Sequence, residues 1–339
     1  MRLDAFNHFI PKRYFERMQE LAGDHKDIGM RMRNVPAIYD LDLRRKIVDS
    51  FPDYAQILSL PLPPIEVLFK PDLVEEMARI CNDGLAELVA KYPDQFPAFI
   101  AQAPIGADDA GVRESERAVR ELGAIGVQIN TNVKGEPLDR PKFGPFFAAM
   151  AKSGIPIWLH PARGADHPDY IDEKKSLYEI WWAFGWSYET SAAMARLVFS
   201  KILDRYPALK IVVHHFGGIV PMLEGRVGPG WDQLGARTTD EDYVSLRKSL
   251  KKRPLDYFKQ NFYADTAVFG SPAATDCGMA FYPIDKVLFA SDCPFDPEKG
   301  PGYIRDTLRI VDNLDLSKQD HEKIYFRNLE AMIGRQLVT

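Results

Sequence analysis

At 339 residues, 46% hydrophobic and 27% charged, the chain has the balance of a globular protein with one large domain or two ordinary ones. Its net charge of −5 comes from interspersed acids and bases, with no basic stripe or amphipathic basic segment to mark a nucleic-acid or membrane surface. Three cysteines without framework spacing, no secretory apolar stretch and no run of about 18 apolar residues lead us to expect a soluble, cytoplasmic protein.

In chain order, residues 2–9 read as a short first strand. Strand alternation puts Asp4, Phe6 and His8 on one face and Ala5 and Asn7 on the other. A charged insertion, 11–50, follows, with a helix expected over the Asp40–Ile47 segment. Tyr54–Leu60 is a second strand, closed by the Pro-rich loop Leu60-Pro-Leu-Pro-Pro. Leu73, Met77, Ile80, Leu85, Leu88 and Val89 recur at helical spacing within 71–94. Strands then alternate with helices: strand Phe99–Ala103, helix 109–122, strand Ala124–Asn130, helix 143–152, strand Ile155–His160. An aromatic insertion, 164–187, carries Trp181, Trp182, Phe184 and Trp186. Beyond it come helix 188–206, strand Leu209–His215, a helix start at 218–227 and a polar excursion over 228–258. Strand Asn261–Asp265, helix 272–281, strand Lys286–Ser291 and helices 302–313 and 318–333 complete the chain.

Eight strands alternating with helices predict an α/β chain folded as a single (β/α)8 barrel, residues 1–339, with helical insertions near 11–50, 164–187 and 228–258. The rival, a doubly wound open sheet, usually carries a Gly-rich turn after its first strand, and none is present. In such a barrel the working groups stand at the carboxyl ends of the strands. His8, His160, His215 and Asp292 occupy such ends. His160 is followed by Pro161, which stops the strand; taken alone it is as well explained as a hydrogen-bonded rim residue. His215 precedes Gly217 and Gly218, which would let backbone approach a ligand closely. His214 alternates to the opposite face and reads as structural. Imidazoles and a carboxylate converging on one rim suit zinc or another divalent ion.

The stretches Gly126-Val-Gln-Ile, Leu159-His-Pro, His215-Phe-Gly-Gly-Ile-Val-Pro with Gly225-Arg226, and Ser291-Asp-Cys-Pro-Phe, with Asn328 in the last helix, carry a resemblance. The chain resembles the amidohydrolase superfamily, in the branch of aminocarboxymuconate-semialdehyde decarboxylase and the hydroxybenzoate decarboxylases. The resemblance implies His8, His160 and Asp292 as ligands of one divalent metal, zinc or alternatively manganese. It makes His215 the proton-handling or water-polarising residue, with Asp292 beside it, and Arg226 a clamp for a substrate carboxylate. One position departs: relatives place His or Glu where this chain has Phe6, which has no lone pair to give. Two readings stand open. Either three ligands retain the metal and Phe6 becomes an apolar wall for an aromatic substrate, or the metal site has decayed.

The remaining features read more plainly. Arg163 is expected in a surface pair, Glu189 as a first-turn charge and Cys293 as packing. The Trp181–Trp186 cluster is expected at a subunit interface rather than over the pocket. The first functional expectation is a metal-dependent lyase that decarboxylates a small aromatic or unsaturated acid, acting as a homodimer or higher homo-oligomer. A metal-dependent hydrolase or hydratase is the alternative, and a metal-free or non-catalytic barrel that binds an aromatic acid is the third.

Overall fold

The computed structural model describes residues 1–21, 34–106 and 109–338. Part of the expected 11–50 insertion, residues 22–33, lies outside them. The barrel strands are β1 (Arg2–His8), β2 (Tyr54–Ser59), β3 (Ala98–Phe99) and β4 (Ala101–Gln102), then β5 (Val127–Asn130). A small antiparallel hairpin follows, β6 (Asn132–Val133) with β7 (Glu136–Pro137), before β8 (Ile157–His160), β9 (Ile211–Val213), β10 (Phe262–Asp265) and β11 (Val287–Leu288). Pairing is parallel in the order β1-β2-β3 and β4-β5-β8-β9-β10-β11. Ile100, between β3 and β4, donates its N–H to Leu58 O and so joins the two runs as one interrupted strand. Closure comes from Ala5 N–H to Phe289 O at 2.8 Å and His8 N–H to Cys293 O at 2.9 Å. The result is the expected eight-stranded barrel.

The last strand is shorter than its apolar run because its next backbone groups leave the ladder. Phe289 O turns to β1, and Ala290 exchanges hydrogen bonds with the Thr266 hydroxyl. Helices fall close to their expected places: Leu41–Asp49, Pro71–Lys91, Ala110–Glu121, Gly144–Ser153, Pro272–Phe281 and Pro301–Asp312. The 188–206 helix is broken into Gly185–Phe199 and Ile202–Arg205, with Lys201 at φ +65° between them. The helix expected to begin at 218 is instead a series of turns leading to a single π turn at Arg226–Gly230. The polar excursion holds two short helices, Tyr243–Ser249 and Pro254–Gln260. No helix among the described residues is long and apolar enough to cross a membrane.

Two apolar cores follow from strand alternation. One fills the barrel with Leu3, Ala5, Phe6, Ala55, Ile57, Trp158, Val212 and Leu288, sealed below by Leu329 and Met332 of the last helix. The other packs the outer strand faces against the helices. Each fully buried large side chain contributes roughly 1.5–3 kcal/mol, so the strand ends above are held on a stiff base.

β1 departs from regular alternation. Its register against β2 runs Asp4↔Gln56 and then Asn7↔Leu58, one residue more on β1 than on β2. This bulge turns both Ala5 and Phe6 inward. Asp4 therefore does not share a face with Phe6 and His8. It accepts hydrogen bonds from the hydroxyls of Tyr54 and Ser291 and from Ser291 N–H. Asn7 likewise stays away from the rim and donates to Asp4 O and Ile57 O.

Candidate metal and catalytic site

Four imidazoles and a carboxylate meet at the carboxyl rim. β1 ends in His8, β8 in His160, and β9 runs out into His214 and His215, while Asp292 follows β11. His8, His160 and His214 form one group whose ring nitrogens all lie within 4.8 Å, and His214, His215 and Asp292 form a second. His8 Nε2 is 3.2 Å from Asp292 Oδ1, His214 Nε2 is 3.5 Å from the same oxygen, and His215 Nε2 is 3.5 Å from Oδ2. All five residues are buried.

His214 was expected to face away, and the structure corrects this. Alternation fails because β9 ends at Val213. The chain then turns, with His215 at φ +55° and Phe216 at φ +50°. That left-handed turn stacks the two imidazoles, with ring centroids 3.7 Å apart, so both face Asp292. Asp292 itself has φ +61°. Strained backbone at several rim residues is characteristic of positions held for function, at roughly 1–3 kcal/mol each. Gly217 and Gly218 serve this turn rather than a ligand. A Cβ on Gly217 would fall 2.4 Å from Tyr282 Oη, and one on Gly218 would fall 2.2 Å from Ser187 O.

Hydrogen bonds fix which ring nitrogen each imidazole presents. Ser59 gives its hydroxyl proton to Asn7 O, so its oxygen accepts from His8 Nδ1 at 3.0 Å. His160 Nδ1 donates to Pro161 O at 2.7 Å, since a carbonyl only accepts. His214 Nδ1 donates to Asp265 Oδ2 at 2.6 Å. In each ring Nδ1 is committed to the protein and Nε2 is left to face inward. Second partners of this kind are how proteins orient metal-binding imidazoles. Three such nitrogens beside an ionised carboxylate, all buried, fit a divalent cation.

The electrostatics agree. Burial alone would raise Asp292, but the imidazoles of His214, His215 and His8 beside it hold it well below the usual carboxylate range. Burial, reinforced by His8 and His214, drives His160 well below the usual imidazole value. His215 is lowered by burial and by His214. Burial also opposes the charge on His214, yet Asp265 and Asp292 outweigh it and bring that ring up to about 9.

The other expected residues are distributed unequally. Phe6, 0% exposed, lies beneath the imidazoles, with centroids 5.2 Å from His8, 5.8 Å from His160 and 4.4 Å from His214. It is not among the residues lining the cleft, which are Leu62, His160, Trp186, Asp292 and Phe295. Arg226 is exposed, and the fold does not bring it into this cleft. Trp186 is a roof: its ring stands 6.2 Å from His160 and its Nε1 donates to Arg163 O. Trp182 and Phe184 remain exposed. Arg163 is paired not at the surface but in a mostly buried bridge to Glu189 at 3.0 Å.

Sequence reasoning missed two supports. Asp265 accepts from His214 Nδ1 and from the N–H groups of His215 and Ala267. It ends a buried strand, and that signal was available. Arg44, fully buried, donates to His8 O, Ala37 O, Gln56 Oε1 and Cys293 Sγ, tying the ends of β1 and β11 together. Nothing in its Arg/Lys-rich surroundings distinguished it from solvated neighbours.

The amidohydrolase family model matches residues 42–335. The chain belongs to the amidohydrolase family. A gamma-resorcylate decarboxylase from Rhizobium sp. (strain MTP-10005) is 32% identical over 301 residues, covering 85% of this chain and 86% of that protein. A 2-amino-3-carboxymuconate-6-semialdehyde decarboxylase from Dictyostelium discoideum is 28% identical over 330 residues, 91% of this chain and 86% of the relative. Among solved structures, a dihydroxybenzoic acid decarboxylase from Polaromonas sp. JS666, with bound manganese and the inhibitor 2-nitroresorcinol, superposes with a TM-score of 0.77 at 26% identity. It covers 98% of this chain and 96% of that one. This amidohydrolase thus falls in the branch that its motifs resemble.

Proposed function

We propose that the chain is a metal-dependent, non-oxidative decarboxylase of a small aromatic carboxylic acid, a carbon–carbon lyase. The observation that carries this is the 3.2 Å approach of His8 Nε2 to Asp292 Oδ1. Ser59 holds His8 through Nδ1, so Nε2 is the ring atom turned to the ionised Asp292 carboxylate, which brings an imidazole nitrogen and a carboxylate oxygen together at the rim as donors suited to a divalent cation. Similarity to hydroxybenzoate decarboxylases, one of them holding manganese, supports the same reading.

His8, His160 and Asp292 would hold one divalent ion. Bound there, such an ion supplies positive charge against the substrate's oxygen atoms as CO₂ leaves. Imidazole donors weigh toward zinc and the manganese of the similar structure weighs toward manganese, so both belong in the test. Trp186, Leu62 and Phe295 offer apolar surface to an aromatic ring and exclude water. His215 and Asp292 handle the proton. As the bond between ring and carboxylate breaks, its electrons remain on the ring carbon; His215, protonated from solvent with its charge held against Asp292, would deliver the proton that forms the new C–H bond and would be reprotonated from solvent in each turnover. No water is consumed. A neutral His215 near pH 7 suits an imidazole that exchanges its proton each turnover.

The exposed Tyr178, Phe184 and Tyr188 beside the roof support a homodimer, and the three free cysteines support a reducing cytoplasm. Rim residues drawn from both ends of the chain support one domain.

The test is a panel of hydroxybenzoates incubated with zinc- or manganese-loaded protein in D₂O and, separately, in H₂¹⁸O. Decarboxylation predicts CO₂ release with deuterium at the vacated ring carbon and no ¹⁸O in the aromatic product. Incorporated ¹⁸O would move the chain to hydrolysis or hydration.

A further inference from the structure

We propose that His214 is itself a metal ligand, taking over the coordination place that Phe6 leaves empty, and that Asp265 is the residue that aims it. This rests on the metal reading above and concerns which side chains of this chain make the site. His160 groups tightly with His8 and His214, whereas Asp292 groups with His214 and His215. His214 is the one residue common to both groups. His214 thus stands within ligand reach of His160 on one side and of Asp292 on the other.

The ring is built for the task. Nδ1 is bound to Asp265 Oδ2 at 2.6 Å, so Nε2 is the atom presented, 3.5 Å from Asp292 Oδ1. That Nε2 is buried and has no hydrogen bond within normal reach. Asp265 is immobilised in turn by N–H groups of His215 and Ala267. A carboxylate on the far nitrogen fixes the tautomer and raises the basicity of a ligating imidazole.

The position is explained by the floor of the site. Phe6 brings a ring, not a lone pair, to the centre of the rim, and His214 packs 4.4 Å from it. The left-handed turn at His215 and Phe216 puts both histidines on the same side, so β9 delivers a ligand at 214 and a proton-handling group at 215. The ligand set becomes His8, His160, His214 and Asp292, three imidazole nitrogens and one carboxylate.

The experiment loads the full chain with Mn(II) alone, without substrate. Electron spin-echo envelope modulation then counts the imidazole nitrogens coupled to the ion, and the EPR signal of free Mn(II) gives its Kd. Three coupled nitrogens are expected in the unaltered protein, falling to two in His214→Gln. We expect Kd to weaken by more than about a hundredfold in His214→Gln, beyond the roughly 10–100-fold that Asp265→Asn should cost as a supporting partner. Circular dichroism checks that both variants fold; the nitrogen count in the unaltered chain needs no variant. Two nitrogens there, or an unchanged Kd in His214→Gln, overturns the assignment and leaves the metal reading standing. Failure of the unaltered chain to take up Mn(II) or zinc overturns both.

Discussion

The imidazole of His214 sits against the ring of Phe6, centroids 4.4 Å apart and planes tilted by 55°. These two residues stand at the centre of the rim. An apolar ring occupies the middle of the rim, and a histidine that follows β9 stands against it. The rest of the site is arranged around that pair.

His215 should matter for turnover rather than for metal binding. We expect His215→Gln to lower kcat by roughly 10²–10⁴, the usual contribution of a positioned acid–base group, with Mn(II) affinity within a few-fold of the parent. Steady-state kinetics and metal titration on the same preparation check this. Retained kcat would remove His215 from the proton path.

Asp4 predicts a pH dependence of stability. Burial raises its carboxyl to about 6, against the hydrogen bonds it accepts from Ser291 and Tyr54. Between about pH 4 and 6 the native chain keeps a proton that an unfolded Asp, with a pKa of about 3.9, has released. Stability is thus fully present below that window and falls as pH rises through it, by roughly 2–3 kcal/mol at about 1.4 kcal/mol per unit. Asp4→Asn should lack this slope. Urea unfolding of both proteins at pH 4, 5, 6 and 7 reads the difference, and parallel curves would contradict it.

Gly217 predicts a steric and conformational cost. Its φ is +73°, and a Cβ would lie 2.4 Å from Tyr282 Oη. Gly217→Ala should destabilise the protein by about 2 kcal/mol or more, combining the left-handed penalty with overpacking. Thermal unfolding checks it. An unchanged Tm would mean that the turn beneath His215 relaxes freely.

Arg44 predicts a loss that reaches the site from outside it. Arg44→Met leaves His8 O, Ala37 O and the Gln56 side chain short of a buried donor, at roughly 1–3 kcal/mol for each unsatisfied group. We expect a lower Tm and weaker Mn(II) binding together, since the β1 and β11 ends lose their tie. Weaker stability with unchanged metal affinity would confine Arg44 to packing.

Most of the barrel is legible in the sequence because buried parallel strands such as Ile157–His160 and Ile211–Val213 are short apolar runs ended by polar residues. Every rim residue marked by that rule, His8, His160, His215 and Asp292, reaches the same site. The failures are local backbone events that alternation cannot foresee. The bulge in β1 separates Asp4 from Phe6, and the left-handed turn at His215 rotates His214 inward. Arg44 is invisible for another reason: its burial depends on β1 and the end of β11 lying side by side where the barrel closes, a contact between opposite ends of the chain. Trp186 and Trp182 look alike in sequence, yet one roofs His160 and the other faces solvent.

The central claim is that this rim binds a divalent ion, and metal content tests it most directly. The protein is purified without added metal or chelator, beside His8→Ala and His160→Ala, and analysed by inductively coupled plasma mass spectrometry. The account predicts about one zinc or manganese per chain, as for a single donor set, and its loss in both variants. No bound metal in the parent, even after soaking with zinc and manganese, would contradict it and leave His215 to act in a metal-free pocket.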